Sequence, residues 1–260
     1  MLMLSFSHAA IAGDLEDGLA AYEKQDFSTA LRLLTPIAEE GNTSAQFTLG
    51  QMYRDGKGVS QNYKTAVKWY TLSAEQGIAK AQVNLGWMYD QGKGVAQNYN
   101  TAIKWYTLAA EQGYSSAQFN LALKYDKGQG VAQDYKTAVK WYTLAAEQGH
   151  ASAQYNLGCM YDEGQGVAQD YKTAVKWYTL SAEQGDAESQ SNLGGLYYNG
   201  QGLMQDYVKA HMWVSIAAIE GIADAIKNRD IVAKKMTPAQ IEKAQEAASR
   251  CIKQNFKNCD

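Results

Sequence analysis

Apolar positions along the middle of the chain come in pairs of blocks, each with helical spacing. In one block Ala153, Leu157, Met160 and Tyr161 recur every three or four residues, which predicts a helix over about Ser152 to Glu163 with a single apolar stripe. Gly164 and Gly166 then stop it, because glycine reaches the positive φ angles that helix ends use. The next block, YKTAVKWYTLSAEQ, places Tyr171, Ala174, Val175, Tyr178 and Ala182 on a second stripe, and Gly185 closes it. Asp170 stands where an N-cap oxygen takes up orphan N–H groups, as do Asn62, Asn98, Asp134 and Asp206 in the neighbouring blocks. Two antiparallel helices, A then B, make one αα-hairpin.

That hairpin is written five times with a 36-residue period, as 41–76, 77–112, 113–148, 149–184 and 185–220, and a worn copy opens at Gly221. Such a period marks a solenoid, whose units are too small to bury their apolar faces alone and stack on each other. Gly158 sits inside helix A, where glycine costs about 1 kcal/mol relative to alanine. Its counterparts Gly50, Gly86, Ala122 and Gly194 are also small, which predicts close approach of a neighbouring helix.

The pattern from Ala153 to Ala182, A-Q-x-x-L-G-x-x-Y, a G-x-G-V loop, then D-x-x-x-A-x-x-W, resembles the Sel1-like repeat, a relative of the tetratricopeptide repeat. The resemblance implies an all-α solenoid of αα-hairpins wound into a right-handed superhelix. It also implies the usual role of that family, a protein-binding adaptor.

The ends depart from the repeat. Residues 13–40 form a degenerate hairpin that suits an N-terminal cap, and Pro36 is expected to kink or break its second helix. Residues 221–260 keep a helix-A rhythm and then, from Thr237-Pro238-Ala239-Gln240, a capping-box start to a long polar lid helix ending near Asn255. Residues 1–12 end in Ala10-Ile11-Ala12, the A-x-A form of a signal-peptidase site, but lack a basic n-region and full length. They read as a signal-peptide remnant, which points to a bacterial periplasm or secretion; a helix turn packed on the first repeat is the alternative.

Cys251 and Cys259 would lie roughly 12 Å apart in an unbroken helix, too far to bond. A tail that doubles back would let them close a disulfide; otherwise they are two free thiols. Cys159 is read as a small helix-A side chain. His8, His150 and His211 do not converge with cysteines or carboxylates at ligand spacing, so no metal and no cofactor is expected. The GKG and GQG tripeptides follow a helix instead of a strand and are loops. A net charge of −3 excludes a basic nucleic-acid domain, and the lysines 136, 140, 172 and 176 read as a row facing water.

Trp69, Trp105, Trp141, Trp177 and Trp213 recur in helix B and read as inter-repeat core, in preference to a sugar- or base-stacking row. Helix B barely changes between copies while helix A varies at three sites: Trp87, Leu123 and Cys159 at one; Lys80, Ser116, Ser152 and Glu188 at another; Gln91, Lys127, Glu163 and Asn199 at a third. At 100° per residue these share one stripe with Asn84, Asn120, Asn156 and Asn192. Stacked A helices usually line a concave surface, and asparagines can bond any peptide backbone. The expected function is therefore a non-enzymatic scaffold that grips a partner segment along this stripe. Two rivals remain: a binder or β-lactamase-like enzyme of cell-wall material, and a cytosolic adaptor. The relatives linked to β-lactams carry a cysteine pair in every repeat, and this chain does not.

Overall fold

The computed structural model describes residues 3–259, with side chains from residue 13 onward. Met1 and Leu2 lie outside the described residues, as do the side chains of the rest of the 1–12 stretch, so the reading of a leader is not addressed there. Fourteen α-helices and no strand are found among the described residues. The chain divides into two compact units, residues up to 117 with 129–131, and residues 118–128 with those from 132 on.

The first unit opens with α1 (Met3–Glu23) and α2 (Phe27–Glu39), then alternates A and B helices: α3 (Thr43–Asp55), α4 (Tyr63–Glu75), α5 (Ala79–Gln91) and α6 (Tyr99–Glu111). The boundary falls within α7 (Ser115–Lys127). The second unit continues with α8 (Tyr135–Glu147), α9 (Ala151–Glu163), α10 (Tyr171–Ala182), α11 (Ala187–Asn199) and α12 (Tyr207–Ile219). It closes with α13 (Ala223–Ala233) and the lid α14 (Pro238–Lys253).

The loop chemistry follows the repeat. Asp170 Oδ1 accepts from Lys172 N and Thr173 N at 3.0 and 3.3 Å, capping α10, and its Oδ2 accepts from the Thr173 hydroxyl at 2.6 Å. Gly164 ends α9 in the left-handed region, at φ 73°. Gly166, two residues on, has φ 72°, and a Cβ there would meet the Tyr135 carbonyl at 2.5 Å, so the loop of one repeat sits on the first turn of the preceding B helix. Gln169 Nε2 then donates to Asp162 O at 2.6 Å, tying the loop back to its own helix A.

Packing between A and B uses one ring per repeat. Tyr70, Tyr106, Tyr142 and Tyr178 are fully buried, each contributing roughly 2–3 kcal/mol of apolar burial. A Cβ added at Gly158 would stand 2.6 Å from the Tyr178 ring, and Gly50 and Gly86 meet Tyr70 and Tyr106 in the same way. The small residue expected in helix A is thus required by a tyrosine across the hairpin.

The tryptophans divide. Trp69, Trp177 and Trp213 are buried, while Trp105 and Trp141 are half-buried. Lys68, Lys104, Lys140 and Lys176 lay their ammonium groups 4.6–5.7 Å from the ring centroids of the tryptophans that follow them, so the lysine row in helix B covers aromatic surface as well as facing water.

Pro36 corrects one expectation, since α2 runs unbroken through it. The proline lies near the C-terminus, and the Thr35 hydroxyl donates to Leu31 O at 2.7 Å, which holds that turn closed.

Candidate functional site

The first turn of each A helix carries a glutamine, and these side chains clamp the hairpins. Gln46, Gln82, Gln154 and Gln190 donate Nε2 to the carbonyls of Ala38, Ala74, Ala146 and Ala182, near the end of the preceding helix, at 3.0–3.2 Å. Their Oε1 atoms accept in turn from a glutamine at the end of helix B: Gln76 to Gln46, Gln112 to Gln82, and Gln184 to Gln154, with Gln148 to Gln118 likewise, at 2.7–2.9 Å. The clamp fails once. Gln190 Oε1 is buried with no hydrogen-bond partner, because the matching residue is Glu220, whose carboxylate cannot donate.

About two turns further along each of these A helices lies a second polar layer. The buried tyrosine hydroxyls meet carboxylates of their own helix A: Tyr106 to Asp90 at 3.5 Å, Tyr142 to Asp126 at 3.2 Å, Tyr178 to Asp162 at 3.3 Å. Burial drives the Tyr106, Tyr142 and Tyr178 hydroxyls far above the ordinary phenol range, so they stay protonated and donate to these carboxylates, and burial also raises Asp162. In the first repeat Arg54 replaces the aspartate. It pairs with Asp55 at 2.6 Å, and the Tyr70 hydroxyl finds no well-formed hydrogen bond.

This layer corrects the reading of the asparagines. Asn156 Nδ2 donates to the Tyr142 hydroxyl of the preceding repeat at 2.9 Å, Asn192 hydrogen-bonds the Tyr178 hydroxyl, and Asn84 Oδ1 accepts from Arg54 Nη1 at 3.3 Å. A tyrosine hydroxyl drawn into the core needs partners, and the asparagine of the next repeat is the nearest. Asn84, Asn120, Asn156 and Asn192 are all half-buried, so they form no open column of amides.

The variable stripe around them is more exposed. Lys80, Trp87 and Gln91 are exposed on α5, Trp87 to 37%. Lys127 on α7, Glu163 on α9, and Glu188 and Asn199 on α11 are exposed; Leu123 and Cys159 are half-buried. Cys159 Sγ accepts from the Tyr178 hydroxyl at 3.3 Å, and burial pushes its thiol up, which leaves it a poor nucleophile.

The histidines stay apart in role. His150 caps α9 through Nδ1 to Ala153 N at 3.3 Å and stacks on Phe119 at 4.6 Å. His211 is buried on α12 with Nδ1 at 3.2 Å from the Ser215 hydroxyl. Burial lowers the pKa of both. Among the described residues no group of three or more His, Cys, Asp or Glu side chains could hold a metal, and no helix is long and apolar enough to cross a membrane.

Sequence reasoning missed the glutamine clamp, the Tyr–Asp layer and Lys124. Lys124 is buried where other copies carry Met52, Met88, Met160 or Leu196. The 36-residue recurrence of Gln46, Gln82, Gln118, Gln154 and Gln190 was the available signal for the clamp. At the C-terminus Cys251 and Cys259 are joined by a disulfide with Cα atoms 4.9 Å apart, because α14 ends at Lys253 and the tail turns back through residues 255, 256 and 258, all at positive φ.

Six segments of the chain, 9–42, 43–78, 79–114, 115–150, 151–186 and 187–222, match the model of the Sel1 repeat. The degenerate N-terminal hairpin is thus counted among the repeats. Of solved structures, the chain is similar to a Sel1 repeat protein from Oxalobacter formigenes, with 34% identity over 90% of this chain and 94% of that one and a TM-score of 0.78. It is also similar to c5321, a protective antigen present in uropathogenic Escherichia coli strains, with 29% identity over 96% of this chain and 70% of that one and a TM-score of 0.41. No curated protein matches the chain.

Proposed function

The chain belongs to the Sel1 repeat family, whose members generally mediate protein–protein interaction, and on that premise we propose that it is a non-enzymatic scaffold holding a partner segment on its helix-A faces. The observation that carries this reading is the exposed, variable stripe just described. Trp87 leaves more than a third of its surface in water at a site where other copies have Gln51, Leu123, Cys159 and Gly195. Exposed tryptophans of this kind are frequent anchors of interfaces. Lys80 and Gln91 flank it on the same helix face, and in the second unit Lys127, Glu163 and Glu188 carry the variable charges.

The asparagines take a secondary part. Asn156 uses its amide nitrogen on Tyr142, which ties two neighbouring repeats together, and its amide oxygen is the atom that would accept from a partner backbone. Export to the periplasm or beyond belongs to the same proposal, supported by the A-x-A motif at Ala10 to Ala12 and by a disulfide of the kind that persists in oxidising compartments. A pull-down with Trp87→Ala/Lys80→Glu protein tests the site. Loss of the partner with an unchanged thermal melt is expected, and undiminished capture overturns the assignment. Mass spectrometry of the exported protein tests the leader, with cleavage after Ala12 expected.

A further inference from the structure

One cleft in the second unit has a chemistry of its own, independent of the helix-A reading. It lies between the first turns of α12 and the outer length of α14, is closed by the tail, and has a volume of ≈ 360 Å³. Val208, Met212, Ala247 and the Cys251–Cys259 disulfide are its apolar lining. Its charged lining is mostly basic: Lys243, Arg250 and Lys209 line it, the Lys209 ammonium lying 5.4 Å from the Tyr197 ring centroid, and among the described lining residues Asp206 is the one carboxylate. That carboxylate is occupied, with Oδ1 accepting from Val208 N and Lys209 N at 2.8 and 3.0 Å as the cap of α12. Arg250 also faces Glu246 at 3.9 Å, an exposed pair of the kind that contributes little. A basic cleft on a chain of net charge −3 is a local departure from the whole.

The spacing of the cations narrows the ligand. Lys243 and Arg250 stand two helical turns apart, about 10 Å along α14, which is wider than one phosphate or carboxylate can bridge. An extended peptide advances about 3.3 Å per residue, so acidic side chains a few positions apart match that interval. Gln254 and Asn258 line the tail end of the cleft and bring side-chain amides that both donate and accept. We propose that this cleft docks an acidic segment of a partner protein, a short run rich in Asp and Glu. The disulfide takes part by fixing the tail, since Phe256 N donates to Cys251 O at 2.9 Å and Asn258 sits between the bonded cysteines.

The test is fluorescence anisotropy with a labelled deca-glutamate peptide at low ionic strength. Wild-type protein is expected to bind it and to release it as salt rises, as charge-driven docking requires. Lys243→Glu/Arg250→Glu should weaken binding at least about tenfold, as expected for reversing cleft charges. Both side chains are exposed, so the variant is expected to melt like wild type. Lys136→Glu/Lys172→Glu makes the same change of net charge on exposed B-helix positions and should bind as wild type does. The proposal is overturned if the cleft variant binds undiminished, if the control loses as much, if wild type ignores the peptide, or if inorganic phosphate displaces the peptide at micromolar concentration.

Discussion

Glu220→Gln should stabilise the protein, and the reason is visible in the other repeats. A glutamine ends helix B in four copies and donates to the helix-A glutamine thirty residues before it, at 2.9 Å for Gln76 to Gln46 and 2.7 Å for Gln184 to Gln154. In the fifth copy Glu220 stands at that place, and Gln190 Oε1, buried to 1% exposure, is left without a donor. Restoring the amide supplies one hydrogen bond, worth about 1 kcal/mol net, and relieves an unsatisfied buried acceptor whose penalty is about 1–3 kcal/mol. Ordering the new side chain offsets part of this, so a gain of about 1–2 kcal/mol is expected. For a domain of this size that corresponds to a rise in Tm of about 2–8 °C. Calorimetry of wild type, Glu220→Gln and Glu220→Ala measures it, with the alanine variant expected to gain nothing. A Glu220→Gln protein that melts at or below the wild-type temperature would refute the clamp as a source of stability.

Three further outcomes follow from particular contacts. Gly158→Leu should destabilise by about 1–3 kcal/mol, since its Cβ alone would sit 2.6 Å from the Tyr178 ring, whereas Gly195→Ala, with nothing within 4 Å of its Cβ, should gain up to about 1 kcal/mol of helix propensity; urea melts separate the two. His211 and His150 have folded pKa values below the ordinary histidine value of about 6.5, so their contribution to stability is complete above that pH and is lost as pH falls through it toward the folded values; Tm should drop on acidification from neutral, and His211→Gln should flatten the drop. Cys251→Ser/Cys259→Ser opens a loop of sequence separation 8, costing roughly 2–3 kcal/mol of local stability by the loop-entropy argument; hydrogen exchange should speed up in residues 250–259 and remain unchanged in α8 and α9.

What was legible in the sequence was most of what depends on one hairpin, the Tyr–Asp pairs excepted. The A and B helices, their Asp and Asn caps, the loop glycines and the need for a small residue at Gly158 all follow from patterns within thirty-six residues. What was not legible depends on the neighbouring hairpin. A helical wheel places Asn156 about 100° from Leu157 and about 140° from Tyr161, off the apolar stripe, and so suggests water; it carries no information that the Tyr142 hydroxyl of the preceding repeat arrives on that side. The bridge that the Gln154 amide makes to Ala146 and Gln184 depends in the same way on a neighbouring hairpin. Pro36 misled in the other direction, because a helix close to its end loses little by giving up one N–H and α2 continues through it. The disulfide turned on where α14 stops, which the capping box at its start does not specify.

The central claim is that the segment gripped by the scaffold lies on the variable helix-A stripe and not on the uniform B helices α4, α6, α8 and α10, and site-specific photocrosslinking tests it most directly. A benzophenone side chain would be placed in turn at Trp87 on α5 and at Leu108 on α6, exposed to 37% and 38% respectively, so that accessibility does not distinguish them. The account predicts that position 87 crosslinks the protein's partner and position 108 does not. Crosslinking of that partner from Leu108, with none from Trp87, would contradict it.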